Sequence, residues 1–269
     1  MASVGLVDSS KLPKVDIVGV SVTALVFQEQ VAEILTWAKQ RSSKFVCVAN
    51  VHMLMEARYN DALRRALSKA DMVTPDGMPL VWVMKRLGLN TQDRVAGMDI
   101  FTSICHRSVE EGVSIYLLGS TQEVLKRIQT RLQKEFPTLS IAGSESPPFR
   151  PLTQEEDAEL VKRINNSGAG ITFISLGCPK QECWMDAHCS LVESVMIGVG
   201  GVFPVYAGLQ RYAPKWIRDM GLEWFFRLIQ EPRRLFGRYF KTIPPFIWLA
   251  IQQIRREKSN NRQASVIHF

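Results

Sequence analysis

The sequence predicts an α/β protein: a Rossmann-like, mostly parallel sheet with helices on both faces, followed by a basic, aromatic helical appendage. Three observations carry this. Short apolar runs alternate with amphipathic stretches from Val15 to about Gly208, as strand–helix units do when their sheet is covered on both sides. Those runs end on Asn, Asp, Gln or Gly, polar or bare groups suited to the carboxyl edge where open sheets bind ligands. Charge is segregated as well: from Arg211 to Arg262 twelve Lys and Arg meet four Asp and Glu, a balance of +8 that leaves −1 for the rest of a chain totalling +7.

The 269 residues, 46% hydrophobic and 22% charged, suffice for a sizeable core. Residues 1–14 read as a loose N-terminus, 15–208 as the α/β catalytic domain, 209–258 as the helical appendage and 259–269 as a frayed tail. Within the domain the first strand is expected at Val15–Val20 and an amphipathic helix at Phe27–Gln40. Phe45–Ala49 is continuously apolar and rich in β-formers, hence a buried strand ending at Asn50. Helices near His52–Tyr59 and Asp61–Ala70 lead to a short apolar segment, Ala70–Val73, and then to helices at Leu80–Leu87 and Met98–Glu110.

Val113–Leu118 is the next strand; Ser120 and Glu123 have capping-box spacing for a helix over Gln122–Phe136. Leu139–Ala142 is a strand, and Thr153 with Glu156 repeats the capping spacing before a helix over Glu155–Asn165. Ile171–Leu176 delivers Gly177–Glu182, in which Pro179 suits a first helical turn, and Ser194–Val199 ends at Gly200-Gly201. In the appendage, Pro232 interrupts Trp224–Tyr239, and Pro244-Pro245 is expected to separate it from a last helix, Phe246–Lys258.

No window is apolar for eighteen residues, and Met1–Lys14 lacks the apolar core of a signal peptide, so the expected location is cytoplasmic. Five cysteines, an odd number, suit reduced thiols. Cys178, Cys183 and Cys189 gather near His188 without a close Cys-x-x-Cys pair, which favours a helix start over a zinc site. His52, His106 and His188 have no partner at a catalytic spacing and read as structural.

The segment Thr74-Pro75-Asp76-Gly77-Met78-Pro79 is the candidate for chemistry. Pro75 fixes its φ and Gly77 permits a tight turn, so together they present the Asp76 carboxylate at a strand end as a catalytic base; an ordinary Pro-Asp-Gly turn is the alternative. The ends at Asn50, Asp76, Gln181 and Gly200-Gly201 would share one sheet edge, where bare glycine amides can approach a diphosphate. Arg94 either binds phosphate or pairs with Asp93 or Asp99. Arg227, Arg233, Arg234, Arg238 and Lys241 lie among aromatics at helical spacing. That arrangement suits a solvated face, a nucleic-acid patch or a membrane surface where rings sit at the headgroups.

Taken together, Thr74–Trp82, Arg94-Val95-Ala96-Gly97, Leu176–Glu182, Gly198–Phe203, Ala213-Pro214-Lys215-Trp216, Gly221-Leu222-Glu223-Trp224 and Gln230–Arg234 resemble, in order, the WecG/TagA/CpsF bacterial glycosyltransferases, glycosyltransferase family 26. The match spans about Val15 to Tyr239. The resemblance implies an inverting, metal-independent enzyme with no cofactor. It would move N-acetylmannosamine, its uronic acid or glucuronic acid from a UDP-sugar to a polyprenyl-diphosphate-linked acceptor in surface polysaccharide assembly. It further implies that Asp76 is the general base, that Asn50, Arg94, Gln181, Gly200 and Gly201 hold the donor, and that Arg227, Arg233, Arg234 and Arg238 hold the acceptor diphosphate.

The absence of an Asp-x-Asp metal motif agrees, leaving arginines to offset the diphosphate charge. Val48 stands where the family often has Thr, and Gly237 where it often has Arg, which moves an anion contact to Arg238. The expected partner of the tail is the inner face of the cytoplasmic membrane rather than nucleic acid, and the breaks at Pro232 and Pro244 suggest ordering by the bilayer or by self-association into a homo-oligomer. A sugar-nucleotide epimerase or dehydrogenase is disfavoured because an early Gly-rich fingerprint and a Tyr-x-x-x-Lys pair are missing. The alternative from another class is a non-enzymatic membrane- or RNA-binding module.

Overall fold

The computed structural model describes residues 12–266, with side chains as far as 260. Its centre is a six-stranded, wholly parallel sheet in the order β4-β3-β8-β7-β5-β6. These strands are β3 (Lys44–Ala49), β4 (Met72–Pro75), β5 (Ile115–Gly119), β6 (Ile141–Glu145), β7 (Ile171–Ser175) and β8 (Val195–Gly198). Side chains alternate across it, so β3 sends Phe45, Cys47 and Ala49 into one core and Val46 and Val48 into the other. The second core is anchored by Phe101, which meets Phe173 edge-on at 4.8 Å and Tyr206 at 4.9 Å.

Helices α1 (Phe27–Lys39), α2 (Val51–Ala57), α3 (Asp61–Lys69), α4 (Met78–Arg86), α5 (Gly97–Glu111), α6 (Gln122–Glu135), α7 (Gln154–Asn166), α8 (Lys180–His188) and α9 (Val202–Tyr206) cover both faces. The appendage consists of α10 (Lys215–Asp219), α11 (Glu223–Gln230) and α12 (Pro232–Val266). Thr153 and Glu156 form the expected capping box at α7.

Four expectations are corrected. The first strand is a separate antiparallel hairpin, β1 (Lys14–Ile17) and β2 (Val20–Thr23), outside the main sheet. Its turn places Val18 at φ +53° and Gly19 at φ +87°, and a Val-Gly pair lacks the Asn-Gly signature that such turns usually carry. At α6 the cap is Thr121, whose side chain accepts from Val124 N at 3.3 Å, because Ser120 is spent on a left-handed turn at φ +62°. β6 begins two residues later than expected.

Finally, α12 does not break at Pro244-Pro245 but continues to Val266, past the point where a frayed tail was expected. Two prolines remove two helical hydrogen bonds, yet just after them Phe246 and Ala250 are buried against the core that holds Met53 and Leu54 of α2. Burying a phenylalanine contributes about 1.5–3 kcal/mol, enough to offset much of that loss. Further along, Gln253 donates to Asp16 O at 2.7 Å and accepts from Val18 N at 2.9 Å, which ties α12 to the hairpin turn.

Candidate active site

Because β4, β3, β8 and β7 are consecutive in the sheet, their carboxyl ends form one continuous edge, and the polar residues that follow them meet there. A cavity of about 270 Å³ at that edge is lined by Asn50, Asp76, Gln181, Gly200, Gly201, Arg227, Arg234 and Arg238. An apolar channel of about 720 Å³ adjoins it; Asn50, Asp76 and the same three arginines line both. Arg94 borders only the channel. Arg233 borders neither: one residue from Arg234, it sits about 100° around the helix and is exposed.

Asp76 lies where the two spaces meet. Its N–H donates to Ala49 O at 2.9 Å, prolonging the β3–β4 ladder past Pro75, and Val95 N donates to Pro75 O at 3.0 Å. The Gly97 N–H at the start of α5 donates to its carboxylate. Burial pushes the Asp76 carboxyl up to about 7; the Glu223 charge adds to this, and Arg94 and Arg227 oppose it. A carboxylate so poised is a competent base near neutral pH.

Each neighbour is fixed by local chemistry. Asn50 caps α2 through Oδ1, which accepts from Met53 N at 3.2 Å, so its Nδ2 amide is what it offers a ligand. Gln181 is buried; its Oε1 accepts from Gly177 N at 3.2 Å and its Nε2 donates to Glu182 at 2.7 Å. Gly198 is bare because a Cβ would stand 2.9 Å from that Nε2. At Gly201 a Cβ would stand 2.8 Å from Arg227 Nη2, so the guanidinium rests on the glycine turn. Arg94 resolves toward pairing: it bonds Glu223 at 2.7 Å and lies 3.6 Å from Asp99, whereas Asp93 accepts from Phe27 N.

The places of Glu223 and His52 in the site, and the contact of Arg227 with Gly201, were not read from the sequence. Glu223 and the contact of Arg227 with Gly201 depend on how α11 docks, which no local spacing reports. His52, read as structural, lines both cavities; burial and then the Arg238 charge lower its imidazole to about 4, so it is neutral. Its place in the first turn of the helix capped by Asn50 was the available signal. The other histidine of interest, His188, bonds Asp157 at 2.7 Å and Trp184 O at 2.7 Å, and Cys189 turns to Ser43 O. Among the described residues no His, Cys, Asp and Glu side chains gather as a metal-ligand cluster.

Residues 15–260 match the family described as glycosyl transferase WecG/TagA/CpsF. The chain belongs to this family. It is thus a glycosyltransferase, and the non-enzymatic alternative is closed. A relative from Bacillus spizizenii (strain ATCC 23059 / NRRL B-14472 / W23) is 29% identical over 82% of this chain and 83% of its own length. One from Staphylococcus aureus (strain MW2) is 30% identical over 93% and 97%. Both are named N-acetylglucosaminyldiphosphoundecaprenol N-acetyl-beta-D-mannosaminyltransferase.

Proposed function

We propose that the protein transfers an N-acetylmannosamine-type sugar from its UDP derivative to a polyprenyl-diphosphate-linked sugar, with inversion and without a metal ion. Supporting the acceptor and the sugar are the names of the relatives that match most of the chain. The observation that carries the mechanism is the position of Asp76 between a polar cavity floored by Gly200-Gly201 and Arg227 and an apolar channel. In this reading the UDP-sugar lies over the glycine turn. Asn50 and Gln181 orient the donor, and Arg227 with the glycine amides offsets charge on the departing diphosphate.

The acceptor hydroxyl approaches from the channel side. Asp76 takes its proton as the oxygen attacks the anomeric carbon opposite the leaving UDP, so configuration inverts. Arg234 and Arg238, on the rim shared by both spaces, meet the acceptor diphosphate. Arg94 holds Glu223, and through it α11, over the site.

Membrane attachment is part of the proposal. No helix among the described residues is long and apolar enough to cross a bilayer. Exposed rings instead crowd the appendage, among them Trp216, Phe225, Phe236, Phe240 and Trp248, interleaved with basic residues. Each basic side chain near an anionic surface contributes about 1 kcal/mol, while the rings lodge at headgroup level. The test is UDP release by the purified protein in EDTA, across UDP-sugars with polyprenyl-diphosphate-linked acceptors. Acceptor-dependent release from UDP-N-acetylmannosamine is expected; release that requires a divalent cation would refute metal independence, and none from any pair would refute the reading.

A further inference from the structure

We propose that the channel between α4 and α12 is a built site for the isoprenoid chain, drawing the first part of the lipid out of the bilayer and into the protein. It rests on the lipid-linked acceptor proposed above. One wall is Met78, Trp82 and Val83 of α4; the other is a stripe on α12 formed by Tyr239, Ile243, Phe246, Ala250 and Ile254. Steps of four, three, four and four residues keep that stripe on one helix face, so it is a continuous apolar surface rather than scattered positions. It extends about 24 Å from Arg238 to Ile254 at the rise of an α-helix.

Charge tells the two ends apart. Arg227, Arg234 and Arg238 line the channel where it adjoins Asp76, while past Tyr239 the α12 stripe carries no charged side chain and the α4 wall carries one, Arg86, at its last residue. The complement of such a space is an amphiphile with a strongly anionic head and an uncharged hydrocarbon tail. An attacking sugar hydroxyl must also reach Asp76 from the head end, a demand that a prenyl diphosphate-linked sugar meets and a phospholipid does not. The aromatic rings that face outward, Phe240 and Trp248, lie on other faces of the same helix. They leave the inner stripe for the chain while they meet the membrane.

Binding of farnesyl diphosphate, compared with inorganic diphosphate by titration calorimetry on the full-length protein, tests this. The chain should tighten binding at least about tenfold, equivalent to about 1.4 kcal/mol. Ile243→Phe narrows the α12 wall with a small change in volume, and Ala250→Leu, which adds three carbons, narrows it two turns deeper. Either variant, if folded by circular dichroism, should bring the ratio of the two affinities toward one. Equal binding of the two probes by the wild type overturns the proposal, as does an unchanged ratio in both variants. So does displacement of farnesyl diphosphate by phosphatidylglycerol vesicles at equal lipid concentration. None of these readings needs a sugar donor; absence of acceptor-dependent UDP release with a normal affinity ratio would instead strike the transferase reading and leave the chain site standing.

Discussion

The two spaces that meet at Asp76 are built in opposite ways. The body's share of the polar cavity is made of strand ends and helix starts, a capped Asn50, a glycine turn, and Gln181 locked by its neighbours, to which the appendage adds Arg227, Arg234 and Arg238. Its donors are backbone amides or side chains that secondary structure holds in place. The channel exists only because a helix of the appendage lies against the body, and its walls are side chains from α4 and α12. In the proposed reading this is a division of labour: one region would supply fixed dipoles to a charged donor, the other an adjustable apolar surface to a lipid. Perturbing the first should alter chemistry, and perturbing the second should alter stability or acceptor handling.

Asp76→Asn is the sharpest way to break that contrast, since Asp76 belongs to both spaces. Turnover should fall about 10²- to 10⁴-fold, the usual range for a general base. The melting temperature at neutral pH should hold or rise, because Asn removes a carboxylate that burial disfavours. A carboxyl raised to about 7 in the folded chain, from 3.8, makes the wild type lose stability as pH climbs between those values. The variant should lack that slope in thermal denaturation across pH. Turnover within a few-fold of wild type would remove Asp76 from its role.

Next in size, Phe246→Ala should cost about 3–5 kcal/mol in the docking of α12, since the ring is 2% exposed. Hydrogen exchange should quicken along α12 and α2 while the β3 and β7 amides keep their protection. Equal acceleration everywhere would mean the two regions are one cooperative unit. Arg227→Ala removes a charge-assisted contact of roughly 1.5–3 kcal/mol and should lower kcat/KM for the donor roughly 10- to 100-fold. Gly201→Ala displaces the same guanidinium and should act in the same direction more weakly; a loss larger than that of Arg227→Ala would say that the glycine amides matter more.

The smallest effect concerns pH. Donor kcat/KM should rise through about pH 7 as Asp76 loses its proton. Glu223→Gln deletes a repulsive charge and frees Arg94, both of which favour the ionised form, so the rising limb should move to lower pH. A limb that stays put would assign it to another group.

Much of the polar side was legible because its signals are local. The apolar runs at Phe45–Ala49 and Ile171–Leu176 became β3 and β7, and Asn50, Asp76, Gln181 and Gly200-Gly201 stand together because four strand ends are neighbours. Strand order itself was not readable, since parallel crossovers leave no mark of which strand lies beside which. The hairpin turn at Val18-Gly19 escaped because its residues are not those such turns prefer. Pro244-Pro245 misled for a different reason: propensity is local, whereas the burial of Phe246 and Ala250 that outweighs it is tertiary. The facing direction of Arg233 and the partner of Arg94 likewise belong to docking.

The Arg94–Glu223 pair joins body to appendage, and it carries a consequence for timing. Glu223 sits on α11, as does Arg227, so two of the charges that set the proton affinity of Asp76 arrive only when the appendage is seated. With α11 lifted away, water would reach the carboxylate and relieve the burial that raises its pKa, leaving it a poorer proton acceptor. A donor sugar bound before docking would, on the proposed mechanism, face a weak base and no ordered channel. On the proposed mechanism, wasteful transfer to water would thereby be discouraged until α11 and α12 are in place.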